Sequence, residues 1–438
     1  MTRGFILFFG LTAAAMAADP LSLTLRRAIE IATGAEGSAR IQTATEAVNI
    51  AHERQKQARA DLLPNIDGTF TYQNQTVNLQ AFGFRLPPIP GVSIPTFIGP
   101  FSVTDARLAG SQNLFDLSAI RRLSASRQGT AAAKSELDYS GEAVAAQVAR
   151  AYLAALRTDA DVEAVESDIR LSGAVLEQAE NQKAAGTGTG IEITRARVQL
   201  ANDRQRLIAA LNNRRSARLQ LLRAMNMRMD FDLTLTDKLE FRQVDVASVD
   251  QARTMALKDR ADLRAQQERE STAKLNVSAV RAEQLPSARA FANYGSIGTS
   301  LANAVPTRSV GVQVDVPIFN GGKRASQRAE SAAQYRTEKV KTNDLRQQID
   351  LDVRLALDNL QSATEQVKVA AEGLQLAESE VAQARRRADA GVAVSLEVTD
   401  AQTRLTRARE NSIAALYAYN VARLDLAQAT GHVRQWIQ

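Results

Sequence analysis

The chain of 438 residues has no cysteine, which excludes disulfides, thiolate metal sites and a lipid carried on an N-terminal cysteine. Aromatic residues make up only 5%, and much of the 45% hydrophobic content is alanine, so large globular cores are not expected. Histidine is nearly absent: His52 and His432 are far apart, neither stands in an H-E-x-x-H run, and both read as ordinary surface residues. Gly186, Gly188 and Gly190 resemble a phosphate loop, but they follow a helix and lack the Lys-Ser/Thr ending. No catalytic residue, metal site or cofactor is therefore assigned. The formal charge of +6 is small for this length, with basic and acidic side chains interleaved, as on a solvated helical face. Nucleic acid is not an expected partner.

Long apolar runs are also missing beyond the first residues. Arg3 precedes an apolar stretch from Phe5 to Met16, and Ala15-Met16-Ala17 supplies the small residues of a cleavage site. Residues 1–17 read as a signal peptide, since the stretch is shorter than the roughly 20 residues a spanning helix needs. No later segment offers such a run, so membrane insertion would have to use a β-barrel, which favours the bacterial outer membrane.

What the chain does contain is a duplication. At an offset of 205 residues, Gly186 matches Gly391, Glu192 matches Glu397, Thr194 matches Thr399, Ala196 matches Ala401 and Leu200 matches Leu405. Downstream, Ile208-Ala209-Ala210-Leu211 recurs as Ile413-Ala414-Ala415-Leu416. The mature chain reads as two structural repeats, 18–230 and 231–438, each with helices and two barrel strands.

Each repeat holds a heptad seam of mostly small residues. In the second it runs Ile349, Val353, Ala356, Leu360, Ala363, Val367, Ala370, Leu374, Ala377, Val381, Ala384, Ala388. In the first it runs from Val144 and Val148 through Val162 and Val165 to Ala179, with Lys183 where Ala388 stands. Neither stretch contains proline, so 116–185 and 323–390 are expected to be continuous helices, each on the order of 100 Å at about 1.5 Å per residue. Rods of that length do not belong to a globule. Each ends at a turn, 185–190 or 390–395, where glycine suits an αL cap and Glu192 or Glu397 falls in the first turn of a returning helix.

Strand-like segments also come in pairs. Leu63-Pro64 opens a segment from Asn65 to Gln80 with Ile66, Phe70 and Tyr72 on one face; a Pro- and Gly-rich loop from Leu86 to Pro100 precedes a return segment, Phe101 to Phe115. In the second repeat a segment from Arg289 to Thr299 is followed by Val310, Val312, Val314 and Val316 alternating with Gly311, Gln313 and Asp315. An apolar and a polar face suit a barrel strand between lipid and water, although a soluble sandwich edge has the same period. Four strands cannot close a water-filled barrel, so several chains must contribute.

The order of these pieces resembles the outer membrane efflux protein family, the TolC-like channel-tunnels. The resemblance rests on Leu62-Leu63-Pro64 and Leu285-Pro286 at strand entries, Leu114-Phe115-Asp116 and Pro317-Ile318-Phe319-Asn320-Gly321-Gly322 at strand exits, residues 256–263, and the two Gly-turn-acid tips. It departs from the family at residues 33–38, which replace the usual Asn-Pro-type break, and in the extra glycine of the first tip. It implies a mainly α fold with a β-barrel portion: long antiparallel helical hairpins forming a trimeric α-barrel, continuous with a 12-stranded β-barrel of four strands per chain. It further implies a homotrimer in outer-membrane lipid that extends into the periplasm, coupled by a periplasmic adaptor (membrane fusion) protein to an inner-membrane transporter. Adaptor contacts are expected at Gly186, Thr187, Gly391 and Val392. Glu397 and Asp400 match the family's periplasmic gate, with Glu192 and Arg195 as first-repeat counterparts; Ala393 stands where some relatives carry a basic lock residue. Threefold symmetry would turn the carboxylates into rings that repel one another and attract cations.

The expected function is the passive outer-membrane duct of a tripartite efflux system for small molecules, not an enzyme. Two alternatives remain: the duct of a type I protein secretion system, which shares the architecture, and a periplasmic coiled-coil scaffold without a pore.

Overall fold

A computed structural model describes residues 21–34, 36–83, 96–243, 248–390, 392 and 395–436. The expected signal peptide, Gly391, Ala393 and most of the 86–100 loop lie outside the described residues. Each half of the chain has a helix, a strand, a 3-10 turn, a second strand and two further helices in the same order. In the first these are α2 (Ala39–Ala60), β2 (Asn65–Asn78), β3 (Phe97–Phe115), α3 (Leu117–Ala184) and α4 (Gly190–Ala224). In the second they are α6 (Ala261–Ala282), β5 (Ser287–Gly298), β6 (Val305–Asp315), α7 (Lys323–Asp389) and α8 (Ser395–Thr430). The shorter elements are β1 (Leu21–Leu23), α1 (Leu25–Thr33), β4 (Leu233–Leu235), α5 (Val249–Asp259) and α9 (Val433–Trp436).

Two compact units can be distinguished, and each draws on both halves: one comprises 1–45, 136–262 and 345–438, the other 46–135 and 263–344. In the first unit the heptad seam is buried as its spacing requires. Ile349 and Val353 are fully enclosed, Leu360, Ala363 and Val367 pack with Tyr419 and Ala422 of α8, and Ala377, Val381, Ala384 and Ala388 pack with Val398, Ala401 and Leu405. Alanine at alternate seam positions lets the helix backbones approach closely, which is why so few aromatics suffice.

The first half has a broader buried face. Tyr152 of α3 is fully buried, and its hydroxyl, with one proton to share, lies 2.8 Å from both the Leu23 carbonyl and Asp237 Oδ2. Those contacts anchor β1, which pairs in parallel with β4, an arrangement the sequence reading did not anticipate. α1 starts where Thr24 Oγ1 accepts from the Arg27 N–H.

The second unit holds an antiparallel sheet of order β2-β3-β5-β6, so β2 and β6 are its edges. The return strand β3 begins at Phe97, four residues before the expected Phe101, and β5 begins at Ser287 instead of Arg289. Gly99 and Pro100 were expected to end the Pro- and Gly-rich loop, but they lie within β3. The pair is absorbed at a register shift opposite Gln75 and Val77, where Gly99 has φ 117° and a side chain would strike the Gln75 carbonyl at 2.9 Å. Among the described residues no helix is long and apolar enough to cross a membrane.

Replacing Tyr152 by Phe leaves the Leu23 carbonyl only its longer contacts with the Thr236 N–H and hydroxyl, at 3.2 and 3.3 Å, and removes a buried donor to the Asp237 carboxylate. Stability is expected to fall by about 1–3 kcal/mol, read as a lower denaturant midpoint with unchanged slope; an unchanged midpoint would refute the anchoring role.

Candidate functional site

The two hairpin tips and the helices behind them carry most of the residues singled out by sequence. At the first tip the chain leaves α3 through Gly186, whose φ of 77° lies in the left-handed region that a side chain disfavours. The Thr187 and Gly188 N–H groups both donate to the Gln182 carbonyl, at 2.9 and 3.0 Å, closing a Schellman-like turn. The Thr187 hydroxyl donates to the same carbonyl at 3.1 Å. Glu192 Oε2 then accepts from the Thr189 N–H at 2.8 Å and from its hydroxyl at 3.1 Å, so this carboxylate caps the start of α4. Arg195 is exposed one turn on. Within the chain Glu192 is engaged in this cap, and Arg195 takes no part in it.

At the second tip the Val392 N–H donates to the Arg387 carbonyl at 3.0 Å and the Val392 side chain is exposed. Glu397 pairs with Arg387 of α7, Oε1 to Nε 3.1 Å. Asp400 stays exposed one turn before Arg404. Arg404 in turn grips Glu380 of α7 as a fork, with Nε to Oε2 at 2.9 Å and Nη2 to Oε1 at 2.6 Å. That hydrogen bond holds the Glu380 carboxyl below the usual carboxylate range. The structure thus brings Glu397 and Asp400 together on the first turns of α8, with one already paired and the other open.

Further from the tips lies a polar cluster that sequence reading missed. Asp168 of α3 is 5% exposed and is held from two helices: Arg409 Nη1 of α8 donates to Oδ1 at 2.7 Å, Thr406 Oγ1 to Oδ2 at 2.8 Å, and Arg206 Nη1 of α4 to Oδ2 at 3.3 Å. Arg206 also meets Glu410 at 2.6 Å and Asp203 at 3.5 Å. The cluster borders a cavity of about 420 Å³ that also admits Asp161, whose carboxyl is pushed up by burial and by the Glu410 charge against the pull of Arg157. Only the placement of α8 against α3 and α4 creates it; in sequence Asp168 is merely a polar residue beside the seam position Ile169.

Of the two histidines, only His432 departs from the expected surface position. His52 is exposed, but His432 is largely covered, with Nε2 3.4 Å from Asp259 and Nδ1 buried without a hydrogen-bond partner. It follows Gly431, whose φ of 81° turns the chain so that α9 packs back; Glu142 Oε2 accepts from the Val433 N–H at 3.0 Å. Among the described residues no cluster of potential ligands suits a metal ion.

The fold thus combines two helical hairpins, whose tips lie in one unit, with a four-stranded antiparallel sheet in the other. The sequence profile of the outer membrane efflux protein family matches residues 29–227 and 252–432, and the chain belongs to that family, whose members are channels of the outer membrane extending into the periplasm. It is 27% identical over 333 residues to the alkaline protease secretion protein AprF of Pseudomonas aeruginosa, covering 72% of this chain and 67% of that one. The fold superposes on the CmeC outer membrane channel of Campylobacter jejuni with a TM-score of 0.78 and 16% identity over 93% of this chain and 85% of that one. For VceC of Vibrio cholerae the TM-score is 0.77, with 19% identity over 93% and 96% of the two chains.

Removing one partner of a buried ion cluster leaves the others uncompensated. Asp168→Ala is expected to cost about 3–5 kcal/mol and to speed hydrogen exchange in α8 around Thr406; unchanged exchange there would count against the cluster as a structural tie.

The lowered Glu380 carboxyl also sets a pH window for the second tip. Its stabilising contribution is fully present above the ordinary value of 4.5 and is lost as pH falls through the lower folded value. Exchange at 380–404 is therefore expected to accelerate below that range in the wild type, and Glu380→Gln to remove this pH dependence.

Proposed function

We propose that the protein acts as a homotrimer, the passive outer-membrane duct through which a tripartite efflux system expels small molecules, without catalysis of its own. The observation that carries this reading is the register of the sheet. Val310, Ala292, Gly110 and Ile66 form one row across it, and Pro306, Ser296, Ala106 and Phe70 another on the same face. The alternate rows, Ser309-Asn293-Ala109-Asp67 and Thr307-Gly295-Arg107-Thr69, are polar or small. Exposed Val310, Val312, Val314, Phe70 and Ile66 suit lipid, and the opposite face suits a water-filled lumen. Both edges need partners in a membrane, and β6 of one copy meeting β2 of the next closes a barrel of three copies. A scaffold without a pore has no use for such a sheet.

The tips Gly186, Thr187, Gly391 and Val392 then face a periplasmic adaptor protein, which links the duct to an inner-membrane transporter. Asp400 and Glu397, tripled by symmetry, form the periplasmic constriction, with Glu192 and Arg195 beside it. Asp400 is the stronger contributor, because Arg387 already neutralises Glu397.

The resemblance to AprF, named for alkaline protease secretion, favours a second reading as the duct of a protein exporter. Restored drug tolerance in a host lacking its own duct supports efflux; restored release of a secreted protein supports the alternative.

Conductance of the purified trimer in planar bilayers tests the gate. Glu397→Ala with Asp400→Ala is expected to lower the cation-over-anion permeability ratio roughly two- to fivefold and to raise resting conductance; unchanged values would remove both residues from the gate.

A further inference from the structure

The register that separates the two faces of the sheet also sorts its charges. Its carboxylates, Asp67, Asp105 and Asp315, all stand in the polar rows, as do Arg107, which pairs with Asp105 at 3.0 Å, and Arg289. Arg308 does not. It is opposite Tyr294, which is opposite Leu108, which is opposite Gly68, and this row lies between the rows of Val310 and Pro306 on the apolar face. Arg308 is exposed, and Tyr294 beside it is 63% exposed.

No carboxylate of the protein is available to it on that face. The strand expected to close the barrel against β6 is β2 of another copy, whose residues on this face are Ile66, Gly68, Phe70, Tyr72 and Asn74. The connections at this end of the sheet, 79–96 and 299–304, contain no Asp or Glu. A cation facing hydrocarbon without a partner is costly, and the cost is small only at the level of the headgroups.

Along β6, Arg308 lies towards that level. It stands three residues from the start of β6, at the end next to the short turn Leu301–Asn303. From Arg308 to Asp315 the strand covers about 23 Å, on the order of 18 Å of height in a tilted barrel, and Val310, Val312 and Val314 fill that span. Tyr294 and Tyr72 mark the same end with aromatic rings and hydroxyls, as expected at a membrane interface.

We infer that Arg308, flanked by Tyr294, binds the phosphate of an outer-leaflet lipid headgroup. The inference rests on the reading of the Val310 face as lipid-facing. The guanidinium supplies paired N–H donors for phosphate oxygens, the tyrosine ring supports its stem, and the missing protein counter-ion leaves the lipid to provide the negative charge.

The test uses the purified full-length trimer in nanodiscs, with bis-phosphorylated lipid A as probe and native mass spectrometry to count the lipid retained. Arg308→Gln is expected to weaken retention on the order of five- to tenfold, Arg308→Lys to keep at least half of it, and Arg289→Gln, on the opposite face, to leave it unchanged. Lipid A stripped of phosphate is expected to bind the wild type as weakly as it binds the Gln variant. Equal retention by wild type and Arg308→Gln, or an equal loss with Arg289→Gln, overturns the inference. A nitroxide at Val312→Cys, simple to attach in a chain without cysteine, tests the underlying reading separately. Greater collision with oxygen than with a water-soluble nickel chelate supports a lipid-facing sheet even if the phosphate site fails, whereas the reverse removes both.

Discussion

A backbone N–H or C=O group in hydrocarbon must find a partner within protein, and the sheet of this chain leaves two whole edges in need of one. Its central strands β3 and β5 are paired on both sides, while β2 and β6 are paired on one. A soluble protein would blunt such edges with charge or cover them. Here the edge strand β6 presents Val310, Val312 and Val314 in alternation, which makes water an unsuitable neighbour for one face and lipid a suitable one. In the proposed barrel, closure with other copies satisfies the edges and the face together, and the polar rows face inward. The proposed need for several subunits therefore begins with hydrogen bonds that four strands cannot complete alone.

The helices solve a different problem with weaker individual forces. Alanine contributes little apolar area, so a seam such as Ala377, Val381, Ala384 and Ala388 holds by close approach over many turns, not by a few large side chains. Against that smooth seam the Asp168 cluster is specific: it fits only when Thr406 and Arg409 of α8 and Arg206 of α4 arrive at one height along α3. A heptad seam of near-identical layers tolerates sliding by a repeat, and a buried charge that must be matched from two other helices opposes it. Arg150 with Asp425 at 2.6 Å and Asp159 with Arg218 at 3.0 Å add further fixed heights on the same helix.

Long-period features were legible because they depend on local chemistry repeated many times. The 349–388 seam, the two tips and the valine alternation of β6 each follow from side-chain spacing in one helix or strand, and the ends of α3 and α7 fell within a residue of expectation. Features that depend on a meeting of distant segments were not legible. The β1–β4 pair joins residues more than two hundred positions apart through three residues each, too short for any pattern. The start of β3 was misplaced because Gly99-Pro100 reads as the end of the loop, and only the irregular register opposite β2 shows how it is absorbed. His432 looked like a surface residue because nothing nearby in sequence reveals that α9 folds back beside Asp259.

Sequence periodicity alone settled which residues lie on a common face, since that is a property of one helix or strand and its repeat. It could not settle which face meets which partner. Glu192 and Glu397 occupy equivalent places in the duplication, yet one caps its own helix through Thr189 and the other pairs with Arg387. Arg308 and Arg289 are both arginines in neighbouring strands, and cross-strand register puts them on opposite faces. Those differences arise because charge and hydrogen bonding act through space over a few ångströms, and only folding fixes which groups come within that distance.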